Sequence, residues 1–255
     1  MAPEVLTELF INLGLGALLG LVGGLLGIGG GLIAIPVLGM LYGMDQHLAQ
    51  GTALVMITPN VLIGFYRYHQ KHAVDLRAVS AMAVFSMAAT WIAAKFATSL
   101  DPRTLHVAFA LFLVALALYF GLRRGPATPH PAAAKKMPRA ALPLLGIACG
   151  LMSGVFTIGG GLVIVPALIS LFGMQQTRAQ GMALALVVPS SVVALFGYAQ
   201  GGHVDWATGV PLALGGVATV SLGVMLAHRF SPLRLRLLFC AVLLGTAAMM
   251  LISST

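Results

Sequence analysis

Gly27-Ile28-Gly29-Gly30-Gly31-Leu32-Ile33-Ala34-Ile35-Pro36 is the stretch whose reading decides the fold. It occurs twice, as Thr157-Ile158-Gly159-Gly160-Gly161-Leu162-Val163-Ile164-Val165-Pro166 repeats the pattern 130 residues later. Glycine costs roughly 1 kcal/mol against alanine in a helix interior. Three in a row between apolar runs therefore mark a deliberate break in a helix, and the break stands in both halves of the chain.

Of the 255 residues, 59% are hydrophobic and 8% charged, with a mean hydropathy of +1.00. A soluble domain carries about 25% charged residues. So few charges cannot cover a water-facing surface, and the composition predicts an integral membrane protein. Most apolar runs hold about 20 residues, the length of helix that crosses ~30 Å of hydrocarbon. They do not alternate as the strands of a membrane β-barrel do. The net charge of +8 sits between the apolar runs, so it reports orientation in a lipid bilayer and not nucleic-acid binding. Cys149 and Cys240 lie inside apolar runs and read as small core residues. No Lys or Arg precedes Arg67, so residues 5–26 lack the basic start of a signal peptide and are expected to be a retained helix.

Five apolar segments are expected in each half: 5–26, 30–43, 48–68, 78–98 and 104–122, then 142–157, 160–172, 178–198, 207–228 and 234–252. Residues 123–141 are basic and Pro-rich and divide the chain into an N-terminal repeat, 1–122, and a C-terminal repeat, 142–255. The offset of 130 carries Gly16, Gly20, Pro36, Gln50-Gly51, Pro59, Tyr68, Asp75 and Pro102 onto Gly146, Gly150, Pro166, Gln180-Gly181, Pro189, Tyr198, Asp205 and Pro232. Glycine and proline mark backbone geometry, so the matches imply two copies of one fold. An odd number of crossings per half inverts one copy against the other. With the N-terminus outside, the cytoplasmic side then collects 12 of the 14 Lys and Arg residues, leaving Lys95 and Arg103 outside. Both termini are thereby expected to be periplasmic and the central linker cytoplasmic. A re-entrant hairpin of the first two segments leaves this parity unchanged. The expected class is an all-α membrane protein of two inverted repeats with Gly-interrupted short or re-entrant helices.

The segments after the triplets hold about 14 and 13 residues, roughly 20 Å of helix and too short to cross comfortably. Their starts therefore lie inside the protein. A helix start offers free N–H groups and partial positive charge, and glycine lets a ligand approach the backbone. Two such starts at matching places are a sequence pointer to the binding site of a transporter. The expected ligand is a small anion bound by Gly29, Gly30, Gly31, Gly159, Gly160 and Gly161. The alternative reading of the triplets is close helix packing, which is the reading preferred for Gly14, Gly16, Gly20 and Gly24. Neutral polar residues nearby complete the candidate set: Gln50, Thr52, Asn60, Thr157, Gln180, Ser190 and Ser191. Replacing Gly30 or Gly160 by valine is expected to abolish transport with the fold intact. The six acidic residues all lie at segment ends or in loops, so a buried carboxylate proton relay is not expected. Arg67 and Arg178 read as orientation anchors, His69 and His72 as solvated residues, and His106 as an interfacial helix residue. No nucleophile set, metal-ligand spacing or nucleotide motif appears, so neither catalytic residues, a cofactor nor a metal is expected. Besides a carrier, an anion channel and a non-transporting scaffold or receptor stay open, as does the oligomeric state, a homo-oligomer included.

The Gly-rich turn, the apolar run ending in Pro36-Val37-Leu38 or Pro166-Ala167-Leu168, and the Gly51-Thr52 helix start, duplicated across a basic linker, resemble the TauE/SafE family of sulfite exporters, also called the toluenesulfonate uptake permease group. The second half carries Gly181-Met182 where the first has Gly51-Thr52. The resemblance spans essentially the whole chain. It implies a permease of the bacterial inner membrane for small sulfur-containing anions such as sulfite or organosulfonates.

Overall fold

The structure, a computed structural model, describes residues 3–27, 29–71, 76–122, 142–158, 160–172, 174, 176–227, 229–230 and 232–253. Gly159, Asp75 and the 123–141 linker lie outside the described residues. The described chain forms α1 (Pro3–Leu26), α2 (Gly31–Tyr42), α3 (Gln46–Lys71), α4 (Leu76–Ser99), α5 (Pro102–Leu122), α6 (Leu142–Phe156), α7 (Gly161–Phe172), α8 (Gln176–Gln200), α9 (Trp206–Ala227) and α10 (Pro232–Ser253). The ends fall within three residues of the expected segments. Six helices, α1, α3, α4, α5, α8 and α9, are long and apolar enough to cross a membrane. Outward-facing Phe10, Val84, Ile92 and Leu111 give the bundle the apolar exterior that lipid requires.

Local chemistry sets the ends. Gly30 and Gly43, both left-handed at φ +91° and +62°, bracket α2. Asp45 accepts the Leu48 N–H at 2.9 Å, Asp101 the Arg103 N–H at 3.1 Å, and Asp205 the Ala207 N–H at 2.9 Å. Three of the six acidic residues thus serve as helix N-caps, which is why they stand at segment ends.

Equivalent helices make equivalent contacts. The pair α1–α9 answers α6–α4, α3–α9 answers α8–α4, and α2–α3 answers α7–α8. The correspondence reaches single residues. A Cβ on Gly16, Gly20 or Gly24 would strike the backbone of Leu212, Gly216 or Val220 at 2.2, 2.5 and 2.3 Å. On α6, a Cβ on Gly146, Gly150 or Gly154 would strike the backbone of Met82, Ser86 or Thr90 at 2.4, 2.2 and 2.5 Å. Every partner in the second set is the first set's partner moved by 130. Each half therefore lends a helix to a backbone-to-backbone seam with the other. The central pair α3 and α8 is the most enclosed, with 67% and 61% of its apolar stretch buried against 33–39% for the other four long spans.

Gly14 departs from the packing expected of it, because a Cβ there would meet nothing within 4 Å. Its residue number places it off the Gly16–Gly20–Gly24 stripe, whose four-residue spacing defines the seam. The two sites make opposite predictions. Gly20→Ala is expected to lose about 1–3 kcal/mol through overpacking, a fall of several degrees in thermal midpoint. Gly14→Ala is expected to hold or raise the midpoint, since only helix propensity changes. Equal behaviour of the two variants in a detergent thermal melt would remove the seam from the account.

Candidate functional site

The crossing of α3 and α8 sets the geometry. Tyr198 of α8 donates to Gln50 of α3 at 2.6 Å. Fourteen residues further along α3, Gly64 meets Leu184, fourteen residues back along α8. The two helices therefore run antiparallel. Nine residues on from Gln50 is Pro59, and nine back from Tyr198 is Pro189, so the matched prolines stand at the same level of the crossing, each half a turn round its helix from the contacting face. Each proline lacks an N–H and releases the carbonyl four residues earlier.

Both glycine turns lie at this level. A Cβ on Gly29 or Gly31 would touch Val61 at 2.6 Å or Ile57 at 2.3 Å, each within two residues of Pro59. Gly161 packs on Ala183 and on Val187, the latter two residues from Pro189. The Cβ position of Gly31 also lies 3.9 Å from the Thr157 carbonyl oxygen, so the first turn meets the second. Gly30 and Gly160 face the helix before them. A Cβ on Gly30 would lie 2.8 Å from the Leu19 carbonyl oxygen, and one on Gly160 would lie 2.6 Å from the Cys149 Cα. Valine at either place collides with backbone. The expectation that these substitutions spare the fold is corrected on that ground.

The two turns differ in how their polar groups are satisfied. At the second, Ser153 Oγ accepts the Gly160 N–H at 3.1 Å. Ser190 Oγ donates to the Leu186 carbonyl at 2.9 Å, so Ser86 Oγ donates to Ser190 across 2.8 Å. Ser191 donates to the Val188 carbonyl at 2.8 Å. Thr157 is left-handed at φ +55°, where its counterpart Gly27 has φ +72°. A β-branched residue there is strained, and its hydroxyl donates to the Phe156 carbonyl at 2.8 Å. At the first turn, α2 begins after Gly30 with no side-chain cap. Asn60 Nδ2 donates to the Gly29 carbonyl at 3.4 Å. Asn60 Oδ1 and Thr58 Oγ1 are buried and have no partner among the described residues. The open polar capacity at the crossing is thus concentrated at the first turn.

Three predicted residues stand elsewhere. Gln50 lies about 14 Å along α3 from Pro59. Gln180 lies as far on the other side, so the two glutamines are about 27 Å apart and do not share a small ligand. Gln50 is fully buried, and its Nε2 has no partner among the described residues. Thr52 accepts the Asp205 N–H at 3.0 Å and fastens the α8–α9 loop. Tyr198, Ser153 and Ser86 are contributors that sequence reasoning missed. Tyr198 was visible as one of the matched pairs. Ser86 and Ser153 carried no signal, because their counterparts are Gly216 and Gly23. Among the described residues no three His, Cys, Asp or Glu side chains come close enough to share a metal ion.

The same end of the bundle carries an imidazole pair. His47, buried at the start of α3, donates through Nε2 to the Ala97 carbonyl at 3.0 Å, and its ring centroid lies 4.9 Å from that of His203. The His203 carbonyl comes so close to Gly51 that a Cβ there would lie 1.9 Å from it. His106 is half-buried and ties α3 to α10, through Gln46 Oε1 at 3.1 Å and the Met250 carbonyl at 2.9 Å.

Ten helices around a proline crossing with two internal helix starts have the architecture of a membrane transporter, and comparison with known sequences agrees. Residues 12–250 match the model of the family described as sulfite exporter TauE/SafE, and the chain belongs to that family. It is similar to a "Probable membrane transporter protein" of Xylella fastidiosa (strain 9a5c), 29% identical over 88% of this chain and 87% of that one. It also resembles proteins of the same description from Methanocaldococcus jannaschii, 24% identical over 94% of each chain, and from Bacillus subtilis (strain 168), 26% identical over 92% of this chain and 95% of that one.

Two outcomes follow from the Gln50–His203 end. Tyr198→Phe removes the donor to Gln50 Oε1 and leaves a buried acceptor unsatisfied, an expected loss of about 1–3 kcal/mol read as a lower thermal midpoint. Burial first, and the neighbouring His47 second, lower the pKa of His203 against the opposing pull of Asp45. As pH falls through the ordinary histidine value of about 6.5, the unfolded chain takes up a proton that the folded loop resists. The contribution of His203 is therefore intact above that pH and lost below it. The thermal midpoint is expected to drop more between pH 7.5 and 5.5 in the wild type than in His203→Gln; identical slopes would contradict this.

Proposed function

We propose that this chain is a secondary carrier of small sulfur-containing anions, such as sulfite or organosulfonates, that works by alternating access around the α3–α8 crossing. The observation that carries the reading is the buried, uncapped start of α2 beside Asn60. The N–H groups of Gly31 and Leu32 precede the first intrahelical hydrogen bond, which Ile33 donates to the Gly30 carbonyl at 3.3 Å, and the helix start adds the positive end of the dipole. Family membership supports sulfur as the chemistry, since the family's description is that of a sulfite exporter.

In this proposal residues 1–122 and 142–255 are inverted repeats joined by a cytoplasmic linker. The antiparallel run of the matched helices α3 and α8, and the reciprocal seams α1–α9 and α6–α4, support a two-fold relation between the halves. The 12-to-2 distribution of Lys and Arg supports an orientation with both termini periplasmic in a bacterial inner membrane. Substrate enters the crossing from one side, the halves rock on their seams, and it leaves on the other. Gly29, Gly30 and Gly31 frame the anion, with Asn60 beside them and Thr157, Gly160 and Gly161 closing the far side.

The test is thermal stability of the purified protein against sulfite, sulfate, thiosulfate, sulfoacetate, chloride and acetate. An anion at a hundredfold excess over its Kd stabilises the folded state by about 2.7 kcal/mol, several degrees for a chain of this size. A shift confined to sulfur anions, with counterflow of the same anion in proteoliposomes, is the expected result. Steady conductance without counterflow would replace the carrier by a channel, and the absence of both shift and flux would overturn anion transport.

A further inference from the structure

Asn60 carries an acceptor where an anion site calls for donors. The Gly29 carbonyl can only accept, so it is the amide nitrogen of Asn60 that faces it, at 3.4 Å. Gly216 of α9 presses on the same amide, since a Cβ there would lie 2.7 Å from Asn60 Nδ2. The side chain is 1% exposed, and its Oδ1 has no partner among the described residues. A buried oxygen without a donor is costly. Directed at a fully deprotonated anion it would also be repulsive.

We propose that the ligand of the first glycine turn is a monoanion that carries its own O–H donor, and that Asn60 selects it. This rests on the anion-carrier reading above. The charged oxygens meet the first-turn N–H groups of α2, while the O–H donates to Asn60 Oδ1. Two kinds of anion meet the description: a singly protonated oxyanion such as hydrogen sulfite, and a sulfonate with a hydroxyl on carbon. In the first kind the proton crosses as part of the substrate. No protein group takes it up, since an amide does not titrate, and Asp45, Asp101 and Asp205 are spent as helix caps. Arg67, the charged residue that follows Asn60 on α3, lies seven residues on and is exposed.

Asymmetry between the halves favours Asn60 as the selecting group. Its counterpart Ser190 donates to Leu186 and accepts from Ser86, which stands where the first turn has Gly216. Among the described residues the second turn thus has no buried side-chain acceptor left without a partner, and the O–H is expected to be read at the first.

Two anions of similar size, methanesulfonate and hydroxymethanesulfonate, differ in the O–H alone. Competition of each against labelled sulfite uptake in proteoliposomes of the full chain gives their relative affinities. Hydroxymethanesulfonate is expected to bind about tenfold more tightly, the usual worth of one buried hydrogen bond. Asn60→Leu, of similar volume, is expected to abolish that preference, weakening hydroxymethanesulfonate about tenfold more than methanesulfonate. Asn60→Ala serves the same comparison if the leucine variant does not insert. Sulfite uptake at fixed total concentration, compared at pH 6 and pH 8, separates the two sources of the donor: a rise at pH 6 marks the protonated oxyanion. Equal affinity of the two sulfonates in the wild type, or equal weakening of both in Asn60→Leu, would overturn the role of Asn60 and leave the carrier standing. Absence of sulfite uptake by the wild type would instead overturn the carrier reading itself.

Discussion

Backbone against backbone is the contact on which this structure depends. In lipid the outside of a helix is as apolar as its partner, so association rests on close van der Waals packing. Gly16, Gly20 and Gly24 bring α1 onto α9, and Gly146, Gly150 and Gly154 bring α6 onto α4. Each seam joins a helix of one half to a helix of the other. The halves are therefore interlocked twice, and α3 and α8 are left to cross in the middle. With the seams fixed, Gly30 has one place to go, against Leu19 of α1, and Gly160 takes the same place against Cys149 of α6. The chain between helices must then turn back on itself, which left-handed Gly27, Gly29 and Gly30 permit.

Polar satisfaction decides what this frame can do. A membrane interior offers no water to a lone donor or acceptor, so each one needs a partner. Ser86, Ser153, Ser190 and Ser191 have theirs within the second half-site. Tyr198 donates to Gln50 Oε1 across the halves at one end, where the tyrosine hydroxyl also lies 3.4 Å from the carbonyls of Gly154 and Val155. At the level of the prolines, partners run out at the first turn, where Asn60 Oδ1 and Thr58 Oγ1 have none among the described residues. The two glycine turns thus differ in polar content, the second closed on itself and the first with open polar atoms.

Much of the fold was legible in the sequence, because glycine and proline report backbone geometry directly. The triplets located the starts of the short helices, and Gly16, Gly20 and Gly24 were read as packing glycines, without the helices they pack on. The candidate site was legible in part. Asn60, Thr157, Gly29, Gly30, Gly31, Gly160 and Gly161 lie near the crossing. Gln50 and Gln180 do not, and the reason is geometric. A repeat offset pairs equivalent positions, whereas an antiparallel crossing brings together positions equally far from it on opposite sides. Gln50 therefore meets Tyr198, and Gln180 lies at the other end. The matched prolines at 59 and 189 mark the centre of that exchange, a signal present in the sequence once the crossing is recognised. Ser86 and Ser153 were silent because glycine occupies the matching positions.

The central claim is that matched helices pass one another antiparallel with Pro59 and Pro189 at the same level. Disulfide cross-linking in native membranes tests it, on a background in which Cys149 and Cys240 are replaced. The account predicts that cysteines at 64 and 184 cross-link readily, and that cysteines at 50 and 180, about 27 Å apart, do not. A parallel pair would place residue 50 beside residue 180. Cross-linking of that pair, with none at 64 and 184, would contradict the account.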